Sequence, residues 1–405
     1  MRYLISGYYG EGNAGDEAIL AGILQEVARC DPEAQFIVLS FDPADTARRH
    51  AETGLDMEVL STSLRSPGRL WAAMRSGDLL ISGGGSFLHE ADFEAFGRSF
   101  LFRDGRLRPV PYFLSVVFMA RSAGLPVMWY SQGLGPLHTR CARRLVAAAG
   151  SASQVVTWRD PESARLAYQV GVRPSLQLVV PDPAYALLPA PAEAAAELVA
   201  EQGVEPGAPY MAICPRPWLR RTAYLDTLGE ALEEAAATLG LAVVLVPFHE
   251  TLDPPVCETL AARAGLAGRA AILAPGIPPA LLAAVLGGAE VVVGMRLHAG
   301  ILAATAGAPV VTVDYDPKTQ AFAAQTRQLP WAVSVDWLET GGPPAVEALV
   351  EAIADTVSNA AARRAAVARA VAPLRADSGR TARLAVQLAE MGAGRTGGCS
   401  WRRGA

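Results

Sequence analysis

Pro181-Asp182-Pro183-Ala184-Tyr185-Ala186-Leu187-Leu188-Pro189-Ala190-Pro191 divides the chain in two. Proline has no amide donor and restricts the residue before it, so this stretch cannot continue a helix and reads as a connection between two folded halves. Upstream, short β-branched runs alternate with Ala-, Leu- and Arg-rich amphipathic segments, which predicts strands near 2–6, 35–41, 56–60, 78–82, 127–131, 154–158 and 176–180. Downstream the alternation restarts, with strands near 210–214, 242–247, 271–273, 291–294 and 309–313 and helices near 223–239, 252–264, 278–287 and 298–306. Such a pattern is that of βαβ units around a parallel sheet covered on both faces. The predicted class is α/β, with two Rossmann-like domains facing across a cleft. They are assigned to 1–185 and 186–391, the second ending in Ala/Arg-rich helices over 344–391, and 392–405 reads as a glycine-rich, untethered tail.

Bulk properties agree with two cores. At 405 residues the chain exceeds the size at which one hydrophobic core stops growing, and 51% hydrophobic with 19% charged residues is ordinary globular composition. A net charge of -5 and the lack of a long basic block argue against nucleic acid as a partner. The five cysteines (Cys30, Cys141, Cys214, Cys257, Cys399) are odd in number and show no CxxC spacing, so neither a disulfide framework nor a bound metal is expected, and a reducing cytoplasm fits. The chain opens directly on Arg2-Tyr3-Leu4-Ile5-Ser6-Gly7, and its apolar runs are broken by Arg121, Glu290 or Arg296 before spanning length. Export by a signal peptide is therefore not expected, and any membrane contact should be peripheral, at the inner face.

In doubly wound sheets ligands bind where loops leave the carboxyl ends of the strands, so chemistry is sought there. After the first strand, Gly10-Glu11-Gly12-Asn13-Ala14-Gly15 contains G-x-G-x-x-G, and Asp42 ends the second strand about where a ribose-binding acid would stand. However, the glycines lie well past the strand, and Asp16 and Glu17 occupy the first helical turn, where they would repel a pyrophosphate. The reading favours a sharp turn or a substrate contact through Asn13 and Asp16 over a dinucleotide site. Gly83-Gly84-Gly85-Ser86 suits either an anion- or hydroxyl-binding turn or a tight strand-to-helix turn. Gln132, in Gln132-Gly133-Leu134-Gly135-Pro136, suits either a substrate hydroxyl or a neighbouring backbone group. The long connection from His89 to Pro111 interleaves Arg98, Arg103, Arg106 and Arg108 with phenylalanines, as a lid, a membrane-facing surface or a packed flap would.

In the second half, Pro215-Arg216-Pro217-Trp218 with Arg220 and Arg221 follows a strand and offers guanidiniums to an anion. Val291-Val292-Val293-Gly294 runs into Met295-Arg296-Leu297-His298 and then an apolar helix. Burying an arginine and a histidine there is costly unless they are paired, and together they suit proton transfer beside an anion. The last strand ends in Asp314-Tyr315-Asp316-Pro317-Lys318, whose lysine is the only one in the chain.

Gly10-x-Gly12-Asn13-x-Gly15-Asp16-Glu17, Gly83-Gly84-Gly85, Gln132-Gly133-x-Gly135-Pro136, Pro215-Arg216-Pro217-Trp218, Arg296-Leu297-His298 and Tyr315-Asp316-Pro317-Lys318 together resemble the polysaccharide pyruvyl transferases over nearly the full length. The group acting on secondary cell-wall polymers for surface-layer (S-layer) attachment is the most similar. What the resemblance implies is a GT-B-like fold, phosphoenolpyruvate as donor, no separate cofactor, and a lipid-linked cell-envelope saccharide as acceptor. On that basis His298 and Arg296 are assigned to catalysis, and Arg216, Lys318, Arg220 and Arg221 to the donor. Gly83, Gly84, Gly85, Ser86, Gln132, Asn13 and Asp16 are assigned to the acceptor. The alternative is a nucleotide-sugar-dependent GT-B glycosyltransferase, since the architecture by itself does not name the donor.

Overall fold

The computed structural model describes residues 1–62, 67–90, 102–103, 106–266 and 268–394. In the first half the strands are β1 (Arg2–Ser6), β2 (Gln35–Ser40), β3 (Met57–Ser61), β4 (Leu79–Leu88), a short antiparallel pair β5 (Phe102–Arg103) and β6 (Arg106–Leu107), then β7 (Val127–Leu134), β8 (Val155–Trp158) and β9 (Leu176–Val179). The second half has β10 (Tyr210–Cys214), β11 (Ala242–Leu245), β12 (Ala270–Ile272), β13 (Val291–Gly294), β14 (Val310–Asp314) and β15 (Val333–Ser334).

One parallel sheet runs β3-β2-β1-β4-β7-β8-β9 and the other β12-β11-β10-β13-β14-β15. Both follow the Rossmann order, in which the chain leaves the first strand toward one edge and returns to build the other. The predicted α/β class and pair of Rossmann-like domains are thus present. The strands are apolar because helices cover both faces: β13, Val-Val-Val-Gly, is buried throughout, and β1 is buried from Tyr3 to Ser6. Trp129 and Trp158 meet edge to face in the first core, 5.8 Å between ring centroids. Helix ends carry the expected signals. Asp160 and Thr139 accept hydrogen bonds from first-turn amides, and Gly171 and Gly240 close helices in the left-handed conformation. Asp42 is such a cap as well, accepting from Ala44 and Asp45 amides, rather than a ribose-binding acid.

Two compact units form, Met1–Glu11 with Ile23–Pro183 and Ala376–Ala405, and Gly12–Gly22 with Ala184–Arg375. This division departs from a single break at 185/186 for identifiable reasons. Residues 12–22 join the second unit because Asn13 pairs with His249 in an antiparallel bridge and the Ala14 amide donates to the Phe248 carbonyl at 2.8 Å. The helix Ala360–Gly392 is continuous, and its end returns to the first unit, where Gly392 lies against Pro126 and Asp78. Nor is the proline-rich connection exposed throughout. Ala184, Tyr185, Ala186 and Leu187 are buried, with Arg375 donating to the Tyr185 carbonyl at 3.3 Å.

The turn expected at 83–85 is absent. These glycines lie inside β4, which continues to Leu88 beside β7, with Gly83 opposite Tyr130 and Gly85 opposite Gln132. All three have positive φ. Most of the 89–111 connection, Arg98 and the side chains of Arg103 and Arg106 among it, lies outside the described residues, as does the tail from 395. No helix among the described residues is long and apolar enough to cross a membrane.

Candidate active site

The topological switch point of the second sheet falls between β10 and β13, the pair flanked by β11 and β14. Four adjacent strands therefore deliver their carboxyl-end loops to one place: His249 and Asp253 after β11, Arg216 after β10, Arg296 and His298 after β13, Tyr315 and Lys318 after β14.

Asp253 organises the cluster. Its side chain is fully buried, and Oδ2 accepts the backbone amides of Phe248 (3.0 Å) and His249 (2.9 Å) as well as Arg296 Nε at 2.7 Å. Arg296 Nη2 donates to the other oxygen, Oδ1. The guanidinium is therefore a two-point clamp on a buried carboxylate, and Nη1 is the one nitrogen that Asp253 does not take. Breaking a buried pair of this kind costs about 3–5 kcal/mol, because the partner is left charged and desolvated. The pairing that a buried arginine needs at this position is supplied by Asp253, which takes two of the three guanidinium nitrogens.

His298 stands in the first turn of the helix Leu297–Thr305, partly buried. The imidazole packs on the loop from the chain's beginning: a Cβ on Gly15 would lie 2.4 Å from His298 Nδ1 and 2.7 Å from Cγ. Only glycine leaves room there for the ring. Gly12, at φ +69, lies against Glu250, and the Glu250 amide donates to the Gly12 carbonyl at 2.9 Å. Asn13 ties the turn together, its Nδ2 donating to Asp16 (2.6 Å) and its Oδ1 accepting the Gly15 amide (3.0 Å). Asn13 and Asp16 thus stand beside His298, in the same unit as the predicted donor residues.

Arg216 is held over Tyr315. Its Nη1 donates to the phenol oxygen at 2.7 Å, the guanidinium carbon lies 4.6 Å from the ring centroid, and Trp218 flanks the same ring at 4.8 Å. Lys318 is exposed in the first turn of the helix Pro317–Gln325, its amide accepted by Asp316 Oδ1. Arg220 and Arg221 are exposed on the turn beyond Trp218, and Arg221 is ion-paired with Asp336. Neither has a hydrogen bond or ion pair with the cluster around Asp253.

His249 was not singled out from the sequence. Its Nδ1 accepts the Thr251 amide at 3.3 Å, which places the proton of the neutral ring on Nε2. Burial, with the Arg296 and Arg216 guanidiniums beside it, moves its pKa below the ordinary imidazole value, against the opposing pull of Asp253. A signal was available in Asp253-Pro254-Pro255, an acid before two prolines in the loop that follows β11, which marks a helix start. Nothing in the sequence said that this acid would hold Arg296.

In the first unit, Gln132 is buried and its Nε2 donates to the Gly85 (3.0 Å) and Gly133 (2.8 Å) carbonyls, so the backbone alternative accounts for its amide nitrogen. Ser86 is partly exposed and accepts from Arg159, which also pairs with buried Asp182 at 3.3 Å. The structure keeps this group in a unit separate from His298.

With this geometry known, the profile of the polysaccharide pyruvyl transferases matches residues 13–317. The chain belongs to the polysaccharide pyruvyl transferase family. The match begins at Asn13 and ends at Pro317, and so includes Asn13, Gly15, Asp253, Arg296 and His298. No curated protein is significantly similar to this transferase in sequence. Among solved structures, Anabaena HepE in complex with UDP-glucose superposes with a TM-score of 0.59 at 14% identity, covering 97% of this chain and 100% of that one. UDP-GlcNAc 2-epimerase from Neisseria meningitidis, bound to UDP-GlcNAc, gives 0.59 at 12% identity, covering 96% and 99%. E. coli ADP-heptose LPS heptosyltransferase II gives 0.51 at 13%, covering 88% and 99%. At such identities the likeness is one of fold, and it is the GT-B-like pairing of Rossmann-like domains.

Proposed function

We propose that this transferase moves the pyruvyl group of phosphoenolpyruvate onto two hydroxyls of a lipid-linked cell-envelope saccharide. The product is a pyruvate ketal and the leaving group inorganic phosphate. The observation that carries the reading is the clustering of Arg216, Arg296, His249 and His298 at the switch point of a family member: guanidiniums for an anionic donor beside two imidazole side chains.

The reaction balances without an electron acceptor. A proton is added to the donor's methylene carbon, one sugar hydroxyl attacks the adjacent carbon, phosphate leaves, and a second hydroxyl closes the ketal. Of the two hydroxyl protons, one replaces the proton spent on the methyl group and the other leaves with phosphate. His298 is assigned the proton transfer. Arg296 through Nη1, together with Arg216 and Lys318, is assigned the donor's carboxylate and phosphate, and Asn13 and Asp16 the acceptor hydroxyls. A secondary cell-wall polymer precursor at the inner membrane face is the proposed acceptor, met by a cytoplasmic enzyme.

The test is incubation of the full chain with phosphoenolpyruvate and candidate lipid-linked saccharides, read by mass spectrometry for a pyruvyl adduct and by phosphate release. His298→Ala should lower turnover by at least about 100-fold while the protein remains folded. Transfer from a nucleotide sugar, with no adduct from phosphoenolpyruvate, would overturn the reading in favour of a glycosyltransferase.

A further inference from the structure

His249 stands in the loop that leaves the carboxyl end of β11, next in the sheet to the strand whose loop bears Arg216, and its backbone is fixed on two sides. Its amide donates to Asp253, the carboxylate that also clamps Arg296, and its bridge to Asn13 holds it against the glycine loop that packs on His298. The Thr251 amide occupies the Nδ1 lone pair. An amide can only donate, so the ring is left with Nε2 as its hydrogen-bond donor, and no described residue engages that atom.

We propose that His249 Nε2–H, with Arg216 and Arg296 Nη1, forms the site that receives the donor's phosphate. The inference rests on the functional reading above and adds to it a phosphate ligand from a loop not previously assigned. The chemistry favours an imidazole at this position. Arg216 and Arg296 already supply two permanent positive charges, and the charges that act on His249 are those two and Asp253. A third permanent cation would be repelled in the empty site, whereas a neutral ring contributes a directed N–H without that cost. When a phosphate dianion enters it offsets the guanidiniums, and the ring can then take up a proton, strengthening the contact once the ligand is present. Glu250, the neighbouring carboxylate, packs on Gly12 and is not among the groups shifting His249.

The experiment titrates inorganic phosphate into the full-length wild type, His249→Ala and His249→Gln, followed by calorimetry. A hydrogen bond to a charged group predicts about tenfold weaker phosphate binding in His249→Ala. His249→Gln, whose side-chain amide also presents an N–H, should stay within a few-fold of wild type. Unchanged affinity in His249→Ala, or equal loss in both variants, would overturn the donor role. If His249→Ala does not fold, the wild type decides: phosphate should shift the His249 ring resonances and raise the pH midpoint of that ring, and the absence of both effects overturns the proposal. Pyruvyl transfer assayed on the same proteins separates the two readings. Phosphate binding that depends on His249 without any pyruvyl transfer leaves this site standing and removes the function, and normal transfer with phosphate binding indifferent to His249 does the reverse.

Discussion

Gly12–Gly15 and Gly83–Gly85 look alike in the sequence, each a glycine cluster after an apolar strand, yet the two do different things. A Cβ on Gly15 would meet the imidazole of His298, a side chain able to move. A Cβ on Gly83 would lie 2.7 Å from the Tyr130 carbonyl, part of the backbone of the neighbouring strand, and Gly83 has φ +134. The first cluster makes room for a histidine ring, and the second makes room for the backbone of a neighbouring strand. Glycine content marks a close approach in both cases, and the two differ in what approaches.

The largest expected effect breaks this comparison at its structural end. Gly83→Ala combines forbidden φ with overpacking against backbone, so it should destabilise by about 3–5 kcal/mol and lower Tm by on the order of 10 °C. A thermal melt within a degree or two of wild type would show that β4 and β7 can spread, and the contrast would collapse.

Gly15→Ala is the complementary case. The added methyl displaces the His298 ring rather than the main chain, so the fold should survive with Tm changed by only a few degrees while kcat/KM falls by about 100-fold. A double-mutant cycle with His298→Ala sharpens the point. With the ring removed, the Gly15→Ala penalty should shrink, giving a coupling energy of about 1 kcal/mol in denaturant unfolding. Additive effects would mean that Gly15 is glycine for some reason other than His298.

How much of this was legible follows from the range of the interactions. Val291–Gly294 and Tyr210–Cys214 match their expected strands residue for residue, because doubly buried strands are continuous apolar runs that local reading detects. The helix Ala223–Leu239 does so as well, ending at Gly240. Arg296 and His298 stood out as polar residues interrupting an apolar stretch. Asp253 did not, since its meaning comes from Arg296, 43 residues away and delivered by another strand of the sheet. Asn13 was noticed but referred to its own half of the chain. Its pairing with His249 is a tertiary contact that no periodicity announces.

The smallest effect tests whether the cluster around Asp253 is electrostatically as well as sterically coupled. His249 is pushed below the ordinary imidazole pKa first by burial, then by Arg296 and Arg216. The folded protein therefore binds fewer protons than the unfolded chain as pH falls through about 6.5, and stability drops from there down to the folded pKa. Arg216→Gln removes one of the opposing charges, so the His249 pKa should rise by a fraction of a unit toward 6.5 and that window should narrow, while burial keeps the shift incomplete. An NMR titration of the His249 ring in the two proteins measures this directly. A fall in the pKa, or none of the expected rise, would mean that the Arg216 charge is not felt at His249. The loop on His298 would then differ from Gly83–Gly85 only in what fills the space, and not in the field around it.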